Sequence, residues 1–160
     1  LPAWKWPVEC KPEGQDRATA TANHSKGAIV VVGVERAKTD PQSAVVARVA
    51  AGCNPVRLVT SPNGDVAYVS ARGDFALLAF DTKRLLSDSA HALVGTVPVG
   101  TAPVGVAVID GGTKVVVTNS NRFGGTVTDT QPLSVLDAAR LAAARSSSST
   151  WQTPTFRFST

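Results

Sequence analysis

Two cysteines, two histidines and a scatter of carboxylates are the residues of this 160-residue chain with chemistry to offer, and spacing decides what they can do. Cys10 and Cys53 lie too far apart for a C-x-x-C redox or zinc pair. One disulfide in an oxidising compartment is one reading, and two unrelated buried thiols is the other. There is no G-x-S-x-G, and with only His24 and His91 no Ser-His-Asp set can be assigned. Both histidines fall in turn-rich stretches, where an exposed polar role is the ordinary one. Two His and two Cys never occur at metal-ligand spacing. Asp110, Asp129 and Asp137 could hold a hard cation only if the fold brought them together. The "DGG" at 110–112 reads as a hairpin turn and not a P-loop, because no Lys-Ser/Thr follows at the required spacing. No C-x-x-C-H marks a haem site. Glu9, Glu13 and Glu35 are the only glutamates, and none sits in apolar surroundings that would raise its pKa. The expectation is no metal, no cofactor and no assignable catalytic residue. Asn23-His24-Ser25 is an N-glycosylation sequon, which makes Asn23 a candidate modification site in a secreted context.

Bulk properties narrow the classes further. The chain is 43% hydrophobic and 18% charged, in the range of a globular domain with a real core. No apolar run reaches the roughly 18–20 residues of a membrane span. The net charge is +4, but the 16 Lys and Arg are scattered without a basic, aromatic-interleaved cluster, so no nucleic-acid partner is expected. Leu1 is no initiator, and a processed or partial chain is expected.

The elements that must position these residues are strands. Residues 45–82 laid over 93–130 match at a constant step of 48: Gly52 meets Gly100, Pro55 meets Pro103, Gly64 meets Gly112 and Val69 meets Val117. The step also runs backward, with Ile29 against Leu77 and Asp40 against Asp88. Within a unit the pattern is strand and turn, without helix: strands at 56–60, 66–70, 75–80 and 93–97, with turns at Pro62-Asn63-Gly64 and Arg72-Gly73-Asp74. Asn63-Gly64 and Gly111-Gly112 are expected to be equivalent hairpin tips, since Asn and Gly both tolerate positive φ. Inner strands are expected near 56–60 and 104–109, outer strands near 45–49 and 93–97. Continuous runs such as Ile29-Val30-Val31-Val32 and Val115-Val116-Val117 suit sheets covered on both faces. In Val-Gly-x-x-Pro, Gly supplies unusual φ where the chain crosses from one unit to the next. Four short strands per 40–50 residues is the signature of a propeller blade.

The stretch "VPVGTAPVGVAVIDGGTKVVVTN" followed by "LSVLD" resembles the YVTN repeat of seven-bladed β-propellers. Val116-Val117-Thr118-Asn119 keeps V-T-N without the Tyr; Tyr68-Val69-Ser70-Ala71 keeps Tyr-Val without the Asn; Ala20-Thr21-Ala22-Asn23 keeps only the Asn. The resemblance covers about residues 7–142. It implies an all-β chain of consecutive four-stranded antiparallel blades, about three of them: a partial propeller at 1–145, with units at about 7–52, 53–100 and 101–142, then a Ser-rich linker and tail at 146–160. Members and lactonase-like relatives include surface proteins and sugar-lactone hydrolases. The expected function is a non-enzymatic module for binding or scaffolding, secreted or periplasmic, meeting a protein or carbohydrate ligand. The alternative is a lactonase-like hydrolase or cyclase, for which Glu9 and Arg57 are the only charged residues on presumed inner strands. The insertion Arg122–Pro132 lengthens one hairpin by about eight residues, and loops that depart from a repeat often bind. Ala138–Arg145 reads as a short helical turn. Cys10, on one inner strand, and Cys53, just before the next, are expected to lie near each other. Since blades are apolar on both faces, the end blades are expected to be covered by further blades, by self-association, by a partner or by the aromatic termini.

Overall fold

The computed structural model of the chain describes Cys10, residues 26–120 and residues 132–143. The order is β1 (Lys26–Val32), α1 (Val34–Thr39), β2 (Val45–Cys53), β3 (Pro55–Thr60), β4 (Val66–Ala71), β5 (Ala76–Asp81), α2 (Thr82–Ser87), β6 (Leu93–Pro98), β7 (Pro103–Ile109), β8 (Lys114–Asn119), β9 (Leu133–Asp137) and α3 (Ala138–Ala143). The strands form three antiparallel sheets in strict sequence order: β1-β2, β3-β4-β5-β6 and β7-β8-β9. The fold is therefore all-β, and the described residues form an unclosed series of blade-like sheets. Among the described residues only the middle sheet has four strands.

The repeat is exact at the level of register. In the middle sheet Pro55 pairs with Ala71, Leu58 with Val69 and Thr60 with Ala67; in the third, Pro103 pairs with Asn119, Val106 with Val117 and Val108 with Val115. Every partner has moved by 48, and the irregularity after the proline recurs in both. The pairing of β5 with β6 repeats that of β1 with β2: Leu77 opposite Val97, as Ile29 is opposite Val49, with the same irregularity before Phe80 and before Val32. Beyond β8 the step becomes 56 (Ser70–Leu77 against Thr118–Leu133), which absorbs the predicted insertion.

Stacking buries both faces of the middle sheet at β4 and β5, while Val56 and Leu58 of β3 stay exposed. One face, with Ala67, Val69, Leu78 and Phe80, packs on Ile29, Val31, Val49 and Ala51 of the first sheet. The other, with Tyr68, Leu77 and Ala79, packs on Val106, Val115, Val117 and Leu136 of the third. Hence β4 and β5 are buried almost without alternation. The outer sheets differ from the expectation drawn from their Val runs. In β1, Ile29 is buried while Val30 and Val32 are exposed, because among the described residues that sheet has a neighbour on one side only.

Two local features also depart from expectation. Helical turns α1 and α2 occupy equivalent positions between the third and fourth strands of their units, where the sequence reads as loop. The Asp81 side chain accepts from Arg84 N at 3.0 Å and caps α2, satisfying a donor that a six-residue helix otherwise leaves open. The hairpin tips are equivalent in place but not in backbone. Gly64 has φ +75° and Asn63 is not left-handed; across the gap, Asp110, Gly111 and Gly112 all have positive φ. Gly64 N donates to Ser61 O at 2.9 Å, so Pro62-Asn63 forms the turn and Gly64 closes it. Helix α3 falls where the Ala-rich segment predicts one, and its Leu141 is buried.

Candidate functional site

The two ends of the stack differ in character. One gathers the hairpin tips, α1, α2 and α3. The other carries the crossings between sheets, at 53–55 and 99–103, and the β4–β5 turn. Among the described residues, three of the four non-glycine residues with positive φ lie at this crossing end: Asn54 (φ +51°), Phe75 (+53°) and Ala102 (+53°). Left-handed backbone costs an L-residue about 1–2 kcal/mol, so the surrounding structure must hold each in place.

At the first crossing, Arg72 N donates to Asn54 O at 3.1 Å, and at the second, Ser120 N donates to Ala102 O at 3.0 Å, exactly one step on in the chain. The side chains that fasten the crossings differ. Cys53 N donates to Asp74 Oδ2 at 2.7 Å, and Cys53 is joined by a disulfide to Cys10, with a Cα–Cα distance of 5.6 Å. Gly52, at φ +73°, is required here, because a Cβ would collide with the Asp74 carboxylate. At the second crossing the buried Asn119 donates through Nδ2 to Ser134 Oγ at 3.0 Å, and Gly100 N donates to the same oxygen at 3.4 Å. Gly100 itself is not left-handed; Ala102 bears the unusual φ, contrary to the expectation for Val-Gly-x-x-Pro.

Phe75 is the side chain this end presents. It is 43% exposed, and its backbone is pinned by Phe75 N to Arg72 O (3.4 Å) and by Val99 N to Phe75 O (2.8 Å). Half-buried Arg72 and exposed Asp74 lie beside it in sequence. No sequence signal marked it, since left-handed φ at a Phe follows from tertiary contacts.

The remaining candidates are dispersed. Arg57 lies exposed on β3, its N–H donating to the buried Ser70 Oγ at 3.2 Å. Glu9, Asn23, His24, Asp129 and nearly all of the insertion lie outside the described residues, as does the tail from 144. His91 contacts Asp88 at 2.9 Å on the surface. Asp110 accepts from Thr113 Oγ1 at 2.8 Å within its own turn, and Asp137 pairs across the sheet with Lys114 at 3.5 Å. Among the described residues no three His, Cys, Asp or Glu side chains converge as metal ligands, and no helix is long and apolar enough to cross a membrane. Burial between sheets raises the Tyr68 hydroxyl above its ordinary pKa. No known protein-family model matches the chain, and no curated protein is similar to it in sequence.

Proposed function

We propose that the chain is a non-enzymatic binding or scaffolding module of the YVTN propeller type, working outside the cytoplasm and meeting its protein or carbohydrate ligand at the crossing end. The observation that carries this reading is the pairing of an invariant scaffold with a variable end. Sheet registers repeat residue for residue, while the exposed Phe75 and three of the four left-handed non-glycine residues among the described residues belong to one end. Rigid sheets presenting variable loops are the usual design of a recognition surface. The Cys10–Cys53 disulfide supports an oxidising compartment. The lactonase-like alternative would draw on Arg57.

A glycan array and a lactone panel, run on one preparation, separate these readings. The binding role predicts saturable binding that falls at least tenfold in Phe75→Ala, with lactone opening no faster than in buffer. Acid release above the buffer rate, lost in Arg57→Ala, would replace it with the hydrolase.

A further inference from the structure

The two internal junctions are the same junction used twice. In the first, Ile29, Val31 and Val49 meet Ala67, Val69 and Phe80. In the second, Leu77, Ala79 and Val97 meet Val115, Val117 and Leu136. Each residue of the second is its counterpart in the first moved by one repeat step. The stacking is thus head to tail: every sheet has one face of the Leu77-Ala79 kind and one of the Leu78-Phe80 kind.

The outer faces of the stack are the two unused halves of that junction. The β7–β9 sheet turns Leu133 and Val135 outward, the counterparts of Leu77 and Ala79; they are 49% and 50% exposed, where Leu77 and Ala79 are 0%. Ile109, at 46%, extends the patch. The β1–β2 sheet turns Val30 and Val32 outward, the counterparts of Leu78 and Phe80, at 44% and 48%. A face of one kind cannot repeat the observed packing on its own copy; it needs the other kind.

We infer that a second copy of this chain completes the stack, the Leu133-Val135 face of each copy seating on the Val30-Val32 face of the other. Closed rings of such sheets hold about four to eight blades. The described residues of one copy form three sheets, so two copies of this 160-residue chain bring six together and three bring nine, and two fall within the closed range. The closure rests on the propeller reading, whereas ligand binding at the crossing end plays no part in it, so the two can fail separately.

The test is sedimentation of the full 160-residue chain with Val135→Glu and Val32→Glu, each at a half-exposed site and each checked for folding by circular dichroism. The wild type is expected at twice the 16.5 kDa chain mass. Either variant alone is expected as a monomer, because both junctions of the ring use both faces. An equal mixture of the two variants is expected to regain dimer through one intact junction, the Leu133-Val135 face of the Val32→Glu variant on the Val30-Val32 face of the Val135→Glu variant, with the other junction open. A monomeric wild type, an open ladder of larger species, a dimer from one variant alone or no dimer in the mixture would each overturn the inference.

Discussion

The crossings at 53–55 and 99–103 share a left-handed residue before the proline and the bond to its carbonyl, and differ in the preceding glycine, left-handed at Gly52 and not at Gly100, and in their side-chain fastenings. Both place a non-glycine residue in left-handed φ and both close with an N–H from the end of the second strand. One is then held by a disulfide and a carboxylate, the other by a buried amide and a hydroxyl. The bond to the left-handed residue's carbonyl is what the repeat preserves, while a side chain satisfies a different backbone N–H at each crossing, that of Cys53 at one and of Gly100 at the other. Asn119, the last residue of the V-T-N pattern, donates to the Ser134 hydroxyl that accepts from Gly100 N; Ala71 stands in its place one unit earlier, where Asp74 reaches across from the next turn to Cys53 N.

The largest effect should come from the fastening present at one crossing only. Replacing both Cys10 and Cys53 with Ser should lower stability by about 2–4 kcal/mol in urea denaturation, chiefly by releasing the unfolded chain. A difference under half a kilocalorie would mean that the first crossing does not rely on the bond. Asp74→Ala and Asn119→Ala should each cost about 1–3 kcal/mol, since each strands a backbone or side-chain polar group. Because they act at separate crossings, their effects should add to within about 0.5 kcal/mol, and strong coupling would show that the crossings are one unit.

Gly64→Val probes the opposite end. Open space surrounds the missing Cβ, so only the positive φ resists, and a loss of about 1 kcal/mol in melting experiments is expected. No loss would mean that the tip relaxes freely. The smallest effect is a pH dependence at Asp137. The Ala139 N–H, helped by Lys114, holds its carboxyl below the ordinary value. Its contribution is present above the unfolded carboxylate pKa and fades as pH falls through the lower folded value. Asp137→Asn should therefore flatten the acid side of the stability curve, and NMR titration should find the depressed carboxyl directly.

Much of this architecture could be read from residue order. Strand positions, the 48-residue step and the α3 turn follow from Gly, Pro and Val spacing, because register in a repeat is carried by local pattern. Three things were not legible. Six-residue α1 and α2 are too short for a helical period to show against their polar loop. The left-handed φ of Phe75 and Ala102 is imposed by hydrogen bonds from distant segments. A run such as Ile29-Val30-Val31-Val32 reads alike whether its second face meets a neighbour or lies open, so burial could not be told from composition. The crossing residues Asp74 and Ser134 carried no signal either, since their partners become adjacent only in the fold.

The account stands on the middle sheet being covered on both faces, and Leu77 and Leu78 examine this side by side. They are neighbours in β5, one packed toward the third sheet and one toward the first. Urea denaturation of Leu77→Ala and Leu78→Ala should show losses of about 2–5 kcal/mol for each, as for any large core side chain cut to Ala. A sheet with one wet face would lose stability at one position and almost none at the other, and that result would contradict the stacked arrangement.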